Sequence, residues 1–198
     1  MALHQTAGRG RLDRRWEAPK GANLLVSLLF RHVDGDPHRF TQRVGLAAIE
    51  ACARLADVHP TLKWPNDLLL DGQKLAGVLA QGRTEPASHT ELAVVVGIGL
   101  NVGWAPEGAA KVGHGVDPHD LLAEMLRAYD ELPVDAAALH ERYHDHLGTL
   151  GQHVRVMLPD DSVVEGRALD VELDGRLVVL DDCGLTHRFA VGDIVHLR

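Results

Sequence analysis

From His38 to Ala56 apolar residues recur at three- and four-residue spacing. Phe40, Val44, Ala47, Ala51 and Leu55 fall on one stripe, which predicts an amphipathic helix packed on a core. Before it, Leu24 to Val33 is β-rich and predicts a strand. After it come a short strand, Leu62 to Pro65, and a hairpin over Asp67 to Gln81. Asp71-Gly72 is the turn between Leu68-Leu69-Leu70 and Leu75 to Leu79. Leu92 to Val102 is almost continuously apolar and predicts a strand buried on both faces or paired at a sheet centre. A Gly- and Ala-rich loop over Gly103 to Gly115 leads to two more helices. Asp117 caps the first, with Pro118 in its opening turn, and Asp135 caps the second, which runs to about Leu147.

At Gly148 the texture changes. Five short β-runs follow: His153–Leu158, Val163–Glu172, Arg176–Leu180, His187–Ala190 and Asp193–Leu197. Turn residues separate them, at Pro159-Asp160-Asp161, Asp174-Gly175, Cys183-Gly184 and Gly192-Asp193. This predicts an α/β (α+β) unit over residues 1–148 and a small SH3-like β-barrel over 149–198. The second unit shows no candidate nucleotide ligand.

Composition narrows the function classes. With 45% apolar and 24% charged residues in 198, the chain is globular rather than disordered or fibrous. Its net charge of −8 argues against bulk affinity for nucleic acid. Two distant cysteines, Cys52 and Cys183, form no disulfide framework and point to a reduced, cytoplasmic protein. The longest apolar runs, about ten residues, are half of what a bilayer span needs, so no membrane role is expected. The first 20 residues carry five basic side chains and no apolar stretch, so no signal peptide is expected.

Three segments could carry chemistry. Gly8-Arg9-Gly10-Arg11, followed by Arg14 and Arg15, is a basic island in an acidic chain. It reads as an anion clamp, since guanidinium forks suit phosphate and carboxylate, or as a solvated arm. Lys63, Asn66, Asp67 and Lys74 bracket the hairpin and could converge on one cavity. Asp67 beside an amide can hold Mg²⁺, and a lysine can hold an anion as a point charge. The bland alternative is a hydrated polar rim. Gly97-Ile98-Gly99-Leu100-Asn101 is a strand end open to close ligand approach, or a buried strand against which a helix packs. His140 and His144 have the spacing of two metal ligands on one helix. Without a third ligand nearby, they and His146 read as an exposed face. No G-x-S-x-G nucleophile motif occurs.

Taken together, Gln5-Thr6-Ala7-Gly8-Arg9-Gly10-Arg11 with Trp16 and Pro19 to Leu24, then Lys63-Trp64-Pro65-Asn66-Asp67 with Lys74-Leu75-Ala76-Gly77, then Gly97 to Asn101, ahead of a small β unit, resemble the biotin–protein ligases. The resemblance implies a mixed-sheet catalytic domain of the biotin/lipoate ligase type. It implies ATP, biotin and Mg²⁺ as ligands, formation of biotinyl-5′-AMP, and transfer of biotin to a lysine of a biotin carboxyl carrier protein. By position, Gln5, Gly8, Arg9, Gly10 and Arg11 match the segment closing over biotin and the adenylate, and Lys74 the lysine at the reacting carboxylate and phosphate. Lys63, Asn66 and Asp67 fall on the nucleotide and Mg²⁺ side and Gly77 in the binding hairpin. Asn101 falls beside the adenine, with Trp104 as its candidate cover. Arg11 and Lys74 are thereby the expected catalytic residues.

The chain departs from the pattern at Asp13, where a glycine is usual, and at Ala80-Gln81, where an acidic residue is common. It begins inside the first motif, so the family's opening strand, helix and Ser-Thr-Asn segment are expected to be missing. No winged-helix segment precedes it, so no DNA binding is expected; a monomer or weak homodimer is. A lipoate ligase or octanoyltransferase-like enzyme, or a non-catalytic biotin- or carrier-binding fragment, stands as the alternative.

Overall fold

The computed structural model describes residues 1–11, 15–31, 33, 38–84, 92–113 and 115–197. Among these residues ten strands form two five-stranded sheets, accompanied by three helices. The first sheet holds β1 (Leu24–Phe30), β2 (Thr61–Lys63), β3 (Asp67–Leu70), β4 (Gln73–Thr84) and β5 (Leu92–Leu100), in the order β1-β5-β4-β3-β2. The second holds β6 (His153–Met157), β7 (Val163–Val171), β8 (Leu177–Asp181), β9 (Thr186–Phe189) and β10 (Asp193–His196), in the order β10-β6-β7-β8-β9. The second order is a meander with its last strand returned beside the first, consistent with the expected SH3-like fold. Strand ends differ from the sequence-based bounds by a few residues.

One expectation is corrected. The first sheet was expected to be mixed, yet every neighbouring pair of its strands is antiparallel. The reason is topological. Helix α1 (His38–Ala56) makes the one crossover of the parallel type, but it joins β1 and β2, which lie at opposite edges of the sheet. These two strands run in the same sense but lie four places apart. Among the described residues, parallel contact is confined to isolated bridges, such as Leu62 with Leu147.

The predicted hairpin forms through positive φ at both Asp71 (50°) and Gly72 (77°), the geometry that matches strand twist. Helix α1 covers one face of the first sheet and buries Val44, Leu46, Ala47, Ala48, Ala51 and Cys52. Helices α2 (Pro118–Glu131) and α3 (Ala136–His146) pack on α1. Their caps are as read from the sequence: Asp117 accepts from the His119 N–H at 2.7 Å and Asp135 from the Ala138 N–H at 2.9 Å. Burial pushes the Cys52 thiol up to about 12, so it stays protonated in the core. No helix among the described residues is long and apolar enough to cross a membrane.

Strand β5 is a centre strand, but its two faces differ. Val94, Val96, Ile98 and Leu100 are buried, whereas Val95, Gly97 and Gly99 alternate onto the other face. The strand is therefore half core and half cavity floor. The two sheets meet through Trp64, which is 1% exposed. Its indole N–H donates to the Gly175 carbonyl in the β7–β8 turn at 2.9 Å, and its backbone N–H donates to Thr149 Oγ1 at 3.0 Å.

Candidate active site

The antiparallel register of β3 and β4 sets the first part of the site. Leu69 pairs with Lys74 and Asp67 with Gly77, so the Lys74 side chain reaches back across the hairpin to Asp67. Lys74 Nζ lies 2.7 Å from Asp67 Oδ1. The Asn66 amide donates to the Val78 carbonyl at 2.9 Å, and its Oδ1 accepts from Arg11 at 3.4 Å.

The second part is the arginine loop. Among its described residues it folds back on itself: Arg9 and Arg15 form an antiparallel bridge and the Trp16 N–H donates to the Gly8 carbonyl at 3.0 Å. A Cβ on Gly8 would collide with the Trp16 carbonyl, so the closure needs glycine there. The described part of the loop is therefore folded and not a solvated arm. Asp13 and Arg14 lie outside the described residues.

Trp16 then packs its indole against the sheet. A Cβ built on Gly99 would sit 2.6 Å from the indole, and Gly77 is also beneath it, 3.5 Å away on the same measure. Gly77 and Gly99 are register partners on adjacent strands, so the bare floor spans two strands. Lys74 Nζ is 5.8 Å from the Trp16 ring centroid. The Trp16 Nε1–H is buried without a partner among the described residues. Its presence in the first motif was the only available signal; that it would lie on the glycines was not readable.

A cavity of about 690 Å³ brings the predicted residues together. Gln5, Arg9, Gly10, Arg11, Lys63, Asn66, Asp67, Lys74, Gly77 and Asn101 all line it. Gly8 does not; it borders an open second cleft on the far side of the loop, together with Trp104, which was expected over the adenine. Asn101 is 2% exposed and its side chain is committed internally. It donates to the Ala110 and Lys74 carbonyls, at 3.0 and 3.5 Å, and accepts from Asn23 at 3.2 Å. Asn23 in turn accepts from the Val102 and Trp104 N–H groups. The pair braces the loop after β5, and Asn101 serves as wall.

The C-terminal sheet offered no candidate nucleotide ligand in the sequence; in the structure its Met157, Asp193, Ile194 and Val195 line the same cavity. Arg11 Nη1 is 3.1 Å from the Gly192 carbonyl and 3.5 Å from Asp193 Oδ1. Regular spacing of short strands reveals a barrel but not which of its turns faces another sheet. His196 on β10 approaches Thr149 Oγ1 at 3.2 Å, and burial together with the Lys63 charge holds its imidazole below its ordinary pKa.

The histidine face is only partly as expected. His144 is exposed and 3.4 Å from Asp170, but His140 and His146 are half-buried, because α3 leans on the core through Leu139 and Tyr143. No group of three or more His, Cys, Asp or Glu among the described residues could hold a metal. The donor set does suit Mg²⁺, which takes one or two carboxylates and completes its shell with substrate phosphates. Asp67 keeps Oδ2 without a hydrogen bond among the described residues.

Residues 1–101 match the biotin/lipoate A/B protein ligase family and residues 149–197 the biotin protein ligase C-terminal domain. The chain is 37% identical, over a 216-residue alignment, to a biotin–[acetyl-CoA-carboxylase] ligase of Mycobacterium tuberculosis, covering all of this chain and 78% of that one. It is 37% identical to the bifunctional ligase/repressor BirA of Escherichia coli over 64% of this chain and 43% of that protein. The fold is similar to that of the Aquifex aeolicus biotin protein ligase solved with biotin and ATP. There the TM-score is 0.79 and the identity 24%, over 99% of this chain and 88% of the other.

Proposed function

The chain belongs to the biotin/lipoate A/B protein ligase family, and from that premise we propose that it joins biotin to ATP and passes the biotinyl group to a carboxylase carrier protein. The biotin carboxylate attacks the α-phosphorus of ATP; the bond to pyrophosphate breaks and biotinyl-5′-AMP forms. A carrier lysine amine then attacks the acyl carbon, AMP leaves, and the amine proton is lost to solvent. The observation that carries this reading is the convergence of Arg11, Asn66, Asp67 and Lys74 on one cavity floored by Gly77 and Gly99.

Activation forces two anions together, and the cavity supplies the opposing charge. Lys74, tethered by Asp67, presents an ammonium to the carboxylate and phosphate, and Arg11 presents a guanidinium from the facing loop. Preorganised cations of this kind stabilise charge as it shifts to pyrophosphate without waiting for solvent to reorient. Asp67, with Asn66, would hold Mg²⁺, which supplies further neutralisation of the triphosphate when bound. Gln5, Arg9 and Gly10 close the loop side, Lys63 adds a cation near the nucleotide, and Asn101 keeps the wall in place. Trp16 covers the glycine floor and shields a hydrolysable anhydride from water. The reaction asks for no protein nucleophile.

We place the boundary between a catalytic domain, 1–148, and an SH3-like domain, 149–198, and assign the protein to the cytoplasm as a monomer or weak homodimer without DNA affinity. The test is pyrophosphate release from ATP with biotin or lipoate as acid, followed by labelling of a purified biotin carboxyl carrier domain. Biotin-dependent release and carrier labelling are expected. Release with lipoate alone, or biotin binding with no release, would overturn the assignment.

A further inference from the structure

Among the described residues of the arginine loop, the Arg11 guanidinium reaches the C-terminal sheet, and the way it is held matters. Nη1 of Arg11 takes all the contacts: the Gly192 carbonyl at 3.1 Å, Asn66 Oδ1 at 3.4 Å and Asp193 Oδ1 at 3.5 Å. Nε and Nη2 have no partner among the described residues. Both side chains of the ion pair are largely withdrawn from solvent, Arg11 at 23% and Asp193 at 16% exposure, so the attraction is screened less than on an open surface. A guanidinium is planar. Acceptors clustered at one corner fix its tilt and leave the opposite edge aimed at whatever fills the cavity.

We propose that Asp193, with the Gly192 carbonyl, is a positioning element for Arg11: the C-terminal sheet holds one corner of the guanidinium so that its Nε–Nη2 edge meets the phosphoryl group of the acyl-adenylate. This rests on the functional reading above. Asp193 acts through Arg11 and not on the substrate. Its carboxylate would repel a phosphate brought directly against it, so its useful place is behind the arginine. The second sheet then contributes to retention of the intermediate, a task that the pattern of its strands did not suggest.

The experiment is a double-mutant cycle on the full chain, with Arg11→Gly, Asp193→Ala and the pair, and Asp193→Glu as the conservative variant. The readout is free biotinyl-AMP released from protein supplied with biotin and ATP, together with KM for ATP and for biotin. Asp193→Ala should release the intermediate about tenfold faster, the size of one lost charge-assisted contact, and raise KM for ATP while leaving that for biotin unchanged. In the Arg11→Gly background the same change should add less than about twofold, and Asp193→Glu should restore most of the retention. Equal effects with and without Arg11, or wild-type retention in a folded Asp193→Ala protein, would overturn the proposal.

A ligand-free measurement separates this from the functional reading. Trypsin should cut after Arg9 and Arg11 faster in Asp193→Ala than in the wild type or Asp193→Glu. Unchanged cutting would refute the link even if the enzyme makes biotinyl-AMP. Faster cutting in a protein that makes no biotinyl-AMP would refute the functional reading and leave the link standing.

Discussion

Two ion pairs border the cavity, and they are built in opposite ways. Lys74 and Asp67 are seven residues apart on one hairpin, and antiparallel register alone brings them to 2.7 Å. Arg11 and Asp193 stand at opposite ends of the chain, on the loop before β1 and at the first residue of β10, and meet at 3.5 Å only because the two sheets are docked. The first pair follows from local geometry and survives anything that leaves the hairpin intact. The second depends on the interface around Trp64. On the proposed reading, the charge assigned to the reacting atoms sits on the hairpin, and the one assigned to the intermediate sits at the contact between the two sheets.

Lys74→Ala tests the local half and should have the largest effect. Its side chain is 40% exposed, so its loss opens no core cavity. Biotin-dependent pyrophosphate release should fall by about 10²–10³-fold, while the thermal midpoint stays near that of the wild type. Near-normal release would remove Lys74 from the chemistry.

Gly99→Val tests the floor beneath both halves. The new side chain collides with the Trp16 indole and must lift it, which costs about 1–3 kcal/mol, or about five- to 150-fold in biotin affinity. Tryptophan fluorescence should shift red as Trp16 moves toward water. Calorimetry with biotin would expose the error if affinity is retained.

Thr149→Val tests the docking on which the distant pair relies. It strips the buried Trp64 N–H of its acceptor, at a cost of about 1–2 kcal/mol in a denaturant titration. Retention of biotinyl-AMP should suffer more than its formation, since Lys74 and Asp67 are untouched. Equal losses in both steps would mean that the two pairs are not separable in this way.

The smallest effect is a pH dependence. His196 is held below its ordinary value of 6.5 by burial and by Lys63. Its neutral form is the folded one, so the stability it contributes is present above about pH 6.5. That stability is lost as pH falls through the folded value, because the unfolded chain takes up the proton first. Denaturant midpoints should therefore drop between about pH 7 and 5, where carboxylates remain ionised. His196→Gln should flatten that slope; an unchanged slope would assign it to other groups.

Elements and local chemistry were largely readable in order. The α1 stripe, the Asp117 and Asp135 caps, the Asp71-Gly72 turn and the five C-terminal strands each depend on residues within a few positions of one another. Periodicity and backbone preference therefore expose them directly. The Lys74 and Asp67 pair belongs to that class, since hairpin register is a local property. The sense of neighbouring strands in the first sheet does not, because it turns on which edge a crossover helix reaches. Nor does the commitment of the Asn101 amide to Asn23 and Ala110, the seat of the Trp16 indole on Gly99, or the contact of Asp193 with Arg11. These depend on side chains brought together from far along the chain, where a residue's type says what it can bond to and only the packed structure decides what it meets.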